Sequence, residues 1–301
     1  MTLHFRSKLF LFSFLALTIL AGSFAFPEQS EAVTVNDLLQ TQHLPWQELT
    51  AHSAIVMNQV TGEVVFEHKS GDQWVPASLT KLVTALVVLD QNPDMNKLCE
   101  VNASHDVAGA KLYIAGTSKY RLGDLLSATL VASANNAANA LADCVLPRKE
   151  FVAKMNAKAK QLGSNETKFL EPSGISEFNV TTAEDMAKIA NAAFSTKKVR
   201  EIMAPKKVTI CAKTGQKKCH YLTNTNQLLT DNSVYTLGGK TGYLDESKYN
   251  FATSLKQGNT YLIVIVMGST TKNGSFTDTK KVASWAFQKV AFRNKIFAVG
   301  R

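Results

Sequence analysis

Three short strings in this chain carry residues that could act together on a carbonyl. Ser78-Leu79-Thr80-Lys81 sets a hydroxyl and an amine three residues apart. On a helix, positions i and i+3 share a face, so the amine can reach the hydroxyl. A lysine in buried surroundings loses solvation and its pKa falls, which suits a base that activates a serine nucleophile. Ser133-Ala134-Asn135 adds a second hydroxyl and an amide, and Lys240-Thr241-Gly242 a cation beside a hydroxyl. Ser78 is the candidate nucleophile and Lys81 its base. A histidine-dependent triad has no support, because there is no Gly-x-Ser-x-Gly string and the six histidines show no partnering pattern.

The elements that must hold these residues can be read around them. From Leu79 to Leu89 the chain is apolar nearly all the way round, which describes a helix packed on several sides. Pro76 suits its first turn, where a missing N–H costs nothing. Ser78 then lies at or near the positive end of that helix, which favours negative charge on the serine oxygen. Upstream, 53–58 and 63–68 read as a hairpin around Gln59-Val60-Thr61-Gly62. Helical periodicity dominates from 101 to about 204, clearest over 122–131, 134–143, 151–162 and 182–194, the last with a capping-type start. Strands return at 208–212, 235–241, 249–255 and 260–267, and 279–292 closes as a helix. A short helix is expected near 35–39. Strands at both ends and helices between them predict an α+β fold: one antiparallel sheet flanked by the terminal helix, with a mostly helical lobe. Sites commonly lie in the cleft between such lobes.

A second Lys-Thr-Gly tests the assignment. Lys213-Thr214-Gly215 lies between Cys211 and Cys219 and is followed by Gln216-Lys217-Lys218, which suits a loop. Lys240 instead precedes a two-strand hairpin, on a sheet edge that could face Ser78.

Residues 1–25 read as a secretion signal. Arg6 and Lys8 precede an apolar run, and Ser23-Phe24-Ala25 offers small residues where a signal peptidase reads. A cut as late as Ala32 fits too, and the run approaches the length of an uncleaved anchor. Residues 33–301 are then one exported domain, placed in a periplasm or at an extracellular envelope face. Export makes the cysteines candidates for disulfides, with Cys211–Cys219 and Cys99–Cys144 the favoured pairs. Zinc at Cys211, Cys219 and His220 would lack a fourth ligand and CxxC spacing, and there is no HExxH, so no metal or cofactor is expected. The formal charge is +9, or about +7 without Arg6 and Lys8. The excess is dispersed, which argues against nucleic acid and is compatible with weak attraction to a membrane or an envelope polyanion.

Together, in this order, the three strings match the set found in penicillin-interacting serine enzymes. The chain resembles the low-molecular-mass penicillin-binding proteins, the serine D-alanyl-D-alanine peptidases, over roughly residues 50–292. Pro76 to Lys81, Asn136 to Ala142, Phe151 to Asn156, Phe169 to Gly174, Thr223 to Asn226 and Tyr249-Asn250-Phe251 all sit where that family has similar strings. The resemblance implies a β-lactamase/DD-peptidase-like fold and a Ser78 acyl-enzyme formed on peptidoglycan stem peptides, with β-lactams as covalent inhibitors. It implies that Ser133 relays protons and Asn135 orients the substrate amide. Lys240 and Thr241 would hold the terminal carboxylate, and the oxyanion would lie between the backbone N–H groups of Ser78 and Tyr243, beside Gly242.

Local departures are the Ser133-Ala134-Asn135 middle residue and Leu244, Ser247 and Lys248 after the Lys240 string. Leu244 and Lys248 would narrow the leaving-group side if they face it. Carboxypeptidase action is the favoured expectation, and endopeptidase cleavage of cross-links the alternative. The sequence stops shortly after Phe292, without the second β-domain and amphipathic anchor of many carboxypeptidases. A β-lactamase would need a water-activating glutamate, for which Glu171 is the one candidate by position, and an idle peptidoglycan binder would have no need of Ser78 and Lys81 together.

Overall fold

The computed structural model describes residues 45–215 and 218–299, so the leader and the helix expected near 35–39 lie outside the described residues. Two strands open it, β1 (Ser53–Asn58) and β2 (Val64–His68). A 3-10 turn, Ala77–Thr80, leads into α1 (Lys81–Asp90). A short pair follows, β3 (Leu98–Val101) and β4 (Ser118–Arg121). The helical lobe is α2 (Leu122–Val131), α3 (Asn135–Val145), α4 (Arg148–Gln161), α5 (Ala183–Ser195) and α6 (Lys197–Met203). Next come the hairpin β5 (Lys207–Cys211) and β6 (Cys219–Thr223), and then β7 (Tyr235–Leu244), β8 (Lys248–Gln257) and β9 (Thr260–Ser269). α7 (Lys272–Val299) ends the described chain.

The main sheet is antiparallel with order β2-β1-β9-β8-β7, joining the first hairpin to the last three strands. Its centre is the apolar run of β9, and alternation divides that run between two cores. Leu262, Val264 and Val266 pack with Phe276, Val282 and Ala286 of α7. Ile263, Ile265 and Met267 pack with the helical lobe, against Leu79, Leu82 and Leu86 among others. With both faces covered, β9 has no polar face to show, as its sequence requires. β7, left at the edge, carries Lys240 along the lobe boundary.

Four expectations change in detail. The helix expected to run unbroken from Leu79 begins as a 3-10 turn, with Ala77 at φ 48°. At three residues per turn, i and i+3 eclipse each other, so Lys81 stacks directly on Ser78. β3 and β4 occupy part of the stretch read as helical; four-residue strands are too short to imprint a clear period. β6 pairs with β5 across the Cys211–Cys219 disulfide, so the cysteines close a hairpin rather than a bare loop. The last helix starts at Lys272 rather than 279, because its first turns pack on β9 through Phe276 and through Asp278, which accepts from Ser269 Oγ at 2.8 Å. Both expected disulfides are present, the second joining Cys99 of β3 to Cys144 of α3.

Candidate active site

Ser78 is set by its backbone before its side chain is considered. Asn250 on β8 donates to Val75 O at 2.9 Å and accepts from Gly268 N at 2.9 Å, tying the chain before the turn to the sheet. Glycines at two neighbours let backbone close in: a Cβ on Gly242 would come within 2.9 Å of Pro76 O and 3.2 Å of Ser78 N. On the other side, a Cβ on Gly174, at φ 79°, would lie 2.0 Å from Ala77 O. The turn is clasped between β7 and the 171–176 segment, and no larger residue fits either place.

Lys81 is wholly buried, and its Nζ reaches three oxygens. Ser78 Oγ lies at 2.8 Å, Asn135 Oδ1 at 2.6 Å, and the Ser173 carbonyl closer still. The Asn135 amide is oriented by its other end, since Nδ2 donates to Ala108 O at 2.6 Å. Asn135 Oδ1 and Ser173 O can only accept. A neutral amine has two N–H groups, which these two take, so its lone pair is left for the Ser78 hydroxyl. Burial lowers the Lys81 pKa to about 7, against a smaller opposing pull from the Glu171 carboxylate. The neutral, basic form is therefore accessible near neutral pH.

Ser133 sits between α2 and α3 at φ 61°, a strained conformation for a residue with a side chain. Its hydroxyl accepts from Lys240 Nζ at 2.7 Å, and the same Nζ donates to Thr241 O at 2.8 Å. Lys240 is also completely buried, and desolvation first, then the charge of Lys81, holds its pKa well below the usual lysine value. Thr241 Oγ1 donates to Thr225 Oγ1 at 2.8 Å.

Ser78, Ser133, Asn135, Thr225 and Thr241 border one cleft of about 490 Å³ between the lobes. Its polar floor is made of the hydroxyls of Ser78, Ser133, Thr225 and Thr241, with the buried amines of Lys81 and Lys240 behind them. Lys240 is fully buried and does not itself line the cleft; its amine reaches the floor at Ser133.

The structure thus brings together Ser78, Lys81, Ser133, Asn135, Lys240, Thr241, Gly242 and Tyr243. Lys213 is elsewhere: its exposed loop is tied to β4, with Lys213 N donating to Lys119 O at 2.7 Å. Leu244 lines the cleft, while Lys248 is exposed and does not. Sequence reasoning missed Thr225 and the Ser173 carbonyl as members of the site. Thr225 was within reach through the Thr223-Asn224-Thr225-Asn226 string, whereas a backbone carbonyl leaves no signal in residue types. Among the described residues, no group of three or more His, Cys, Asp or Glu could hold a metal ion.

Comparison with known proteins points the same way. The D-alanyl-D-alanine carboxypeptidase family, peptidase family S11, matches residues 35–271. The D-alanyl-D-alanine carboxypeptidase DacF of Bacillus subtilis is 28% identical over 281 residues, covering 90% of this chain and 70% of that protein. A D-alanyl-D-alanine endopeptidase of Haemophilus influenzae is 32% identical over 239 residues, covering 76% and 80%. Among solved structures, a mutant of a Streptomyces DD-transpeptidase aligns with TM-score 0.75 at 28% identity, over 79% of this chain and 98% of that one. Penicillin-Binding Protein D2 from Listeria monocytogenes, in its cefotaxime-bound form, aligns with TM-score 0.70 at 31% identity, over the same shares. With a serine and a buried lysine in hydrogen-bond contact on this fold, the chain belongs to the D-alanyl-D-alanine carboxypeptidase family of serine peptidases, the low-molecular-mass penicillin-binding proteins.

Proposed function

We propose that the protein removes the terminal D-alanine from peptidoglycan stem pentapeptides through an acyl-enzyme on Ser78. The observation that carries this reading is the 2.8 Å contact between Ser78 Oγ and a buried Lys81 whose pKa lies at about 7. Neutral Lys81 takes the hydroxyl proton as Oγ attacks the carbonyl between the two D-alanines. The oxyanion is met by the N–H groups of Ser78 and Tyr243, a reading supported by the close approach of Gly242 to Ser78 N. Ser133 relays the hydroxyl proton from Lys81 to the leaving amine, which departs as D-alanine and leaves Lys81 neutral. Water then attacks the acyl carbon, and Lys81 takes its proton and returns it to Ser78 Oγ as the ester bond breaks.

The free carboxylate of the leaving D-alanine suits the Thr241 and Thr225 hydroxyls, with the Lys240 charge behind them. Leu244 is three strand residues beyond Thr241, about 10 Å along β7 and on the far side of Gly242. It borders the acyl portion of a substrate held in this way and does not narrow the leaving-group side.

Cross-link cleavage is the second reading, favoured by the 32% identity to the Haemophilus influenzae endopeptidase. The chemistry is shared, and the difference lies in whether the leaving-group end admits a second stem. β-Lactams should acylate Ser78, in keeping with the cefotaxime-bound relative. A β-lactamase activity is disfavoured, because both oxygens of the Glu171 carboxylate are committed to the protein. Action on peptidoglycan entails export, with residues 1–25 as signal, a cut as late as 32, and 33–301 as one catalytic domain. Among the described residues no helix is long and apolar enough to cross a membrane.

Two measurements test the proposal. Intact mass of the purified protein with penicillin should show one adduct, absent in Ser78→Ala; no adduct, or one surviving in Ser78→Ala, rejects the assignment. Pentapeptide and cross-linked dimer, given separately and followed by mass, should show faster cutting of the pentapeptide. Faster cutting of the dimer would establish the endopeptidase reading and leave the nucleophile unchanged.

A further inference from the structure

Glu171 lies beside the reacting groups without touching them, and its carboxylate is the most heavily bonded in the described chain. Oε1 accepts from Gly174 N at 2.6 Å, Asn179 Nδ2 at 2.8 Å and Ser176 N at 3.3 Å. Oε2 accepts from Ser173 N at 2.7 Å and Ser173 Oγ at 2.5 Å. The carboxylate is the hub of the 171–176 turn, satisfying backbone donors that no secondary structure serves. Two further bonds fix the turn in the molecule: Thr84 on α1 donates to Pro172 O at 2.7 Å, and Asn179 Oδ1 accepts from Leu170 N at 2.8 Å.

The turn presents two groups to the site. One is the Ser173 carbonyl, which takes an N–H of Lys81. The other is Gly174, whose backbone packs against Ala77 and Ser78 so closely that no side chain fits. A shift of the turn would therefore move both the acceptor that orients the lysine and the wall behind the serine.

We propose that Glu171 is a positioning residue for acylation: its carboxylate clamps the 171–176 turn so that the Ser173 carbonyl turns the Lys81 lone pair onto Ser78. This rests on the Ser78 acyl-enzyme reading above. It also gives the negative charge a second effect. The charged groups facing Lys81 are Glu171 from the turn and Lys240 from β7; Ser78, Asn135 and Ser173 are neutral. Glu171 favours the protonated amine, against burial. Removing the carboxylate charge should lower the Lys81 pKa while loosening the geometry, so rate and pH dependence move independently.

The experiment measures the rate of penicillin acylation from pH 5 to 9 for wild type, Glu171→Gln and Glu171→Asp, each verified as folded by circular dichroism and melting. Glu171→Gln puts an NH2 where donors converge; its plateau rate should fall on the order of 10²-fold, as small misplacements of reacting groups do. Its acidic limb should move to lower pH. Glu171→Asp keeps the charge but is shorter; it should lose rate while its acidic limb stays near wild type. If Glu171→Gln does not fold, Glu171→Asp and Ser173→Ala carry the test. Ser173→Ala removes only the hydroxyl bond, and a several-fold loss of rate is expected.

Wild-type plateau and limb in any folded Glu171 variant overturn the proposal. So does normal acylation with slowed release of the penicilloyl group, which would make Glu171 a water activator. If wild type itself forms no adduct on Ser78, the acyl-enzyme reading fails first; a wild type that acylates beside unaffected variants sinks only the role of Glu171.

Discussion

Ser133 Oγ accepts from Lys240 Nζ at 2.7 Å across 107 residues of sequence, joining the α2–α3 link to the edge of the sheet. The lysine is 0% exposed, so the cation lies behind the cleft wall and the serine stands between it and any substrate. With its pKa depressed by burial and by Lys81, Lys240 can share a proton with Ser133 as well as attract an anion. At the centre of the site the helical lobe and the sheet edge are thus joined by a lysine–hydroxyl hydrogen bond.

Lys240→Ala would leave the Ser133 hydroxyl without its donor and remove the charge behind it. Penicillin acylation should fall on the order of 10²- to 10³-fold, the usual loss when one group that stabilises developing charge is removed. Lys213→Ala, on the exposed loop between Cys211 and Cys219, should acylate like wild type. Stopped-flow acylation of both variants checks this, and the reverse result would mean that the other Lys-Thr-Gly serves the site.

The pH dependence follows from Lys81. The base must be neutral to take the Ser78 proton, so acylation should rise with pH through an apparent pKa of about 7 and level off above it. A pH–rate profile for kcat/KM with pentapeptide, or for acylation by penicillin, measures the limb. A flat profile between pH 5.5 and 8.5 would remove Lys81 as the base.

The same burial has a consequence for stability, of opposite sense to a favourable ion pair. The unfolded lysine keeps its proton up to about pH 10.5 while the folded one loses it above about 7. Between these values the unfolded state binds more protons, so this contribution to stability grows as pH rises and is lost as pH falls through 7. Lys81→Met should therefore be more stable than wild type at pH 6.5, by at most roughly 5 kcal/mol. The gap should narrow by pH 9.5. Urea denaturation at the two pH values checks both the sign and the narrowing.

Gly242→Ala tests the oxyanion position. Its methyl group would meet Pro76 O at 2.9 Å and Ser78 N at 3.2 Å, on the side from which an oxyanion would approach. Acylation should drop on the order of 10²-fold. The melting temperature should fall as well, because the methyl fits only if the backbone at Pro76 and Ser78 shifts. Wild-type acylation and melting would show that the turn yields without cost to the site.

Removing the disulfides should separate their contributions. Cys99–Cys144 spans 45 residues and Cys211–Cys219 spans 8. Chain-entropy arguments give upper values of about 4 and about 2.5 kcal/mol respectively. The paired serine substitutions at 99 and 144 should thus cost more in denaturant midpoint than those at 211 and 219. Equal losses would show that local strain or residual structure, and not loop length, dominates.

Much of this protein was legible in residue order alone. The apolar run after Leu79, the continuous apolar run of β9 and the paired strands at both ends determine a buried helix, a sheet covered on both faces and an α+β fold, because the pattern of apolar residues records which faces avoid water. The spacing of Ser78 and Lys81 determined their contact, since three residues is one turn of either helix type. Other features belong to the tertiary structure. The burial of Lys240 behind Ser133, the Thr225 hydroxyl beside Thr241, and the Ser173 carbonyl on Lys81 join residues 16 to 107 apart. Such contacts leave no period in the sequence, and a carbonyl is offered by every residue alike. Glu171 is the clearest case: its type and position suited a water activator, and only the fold turned both its oxygens inward to four donors of its own turn and the Asn179 amide. A side chain's chemistry is written in the sequence, but whether that chemistry faces the substrate or the backbone is decided by which donors the folded chain brings within 3 Å of it.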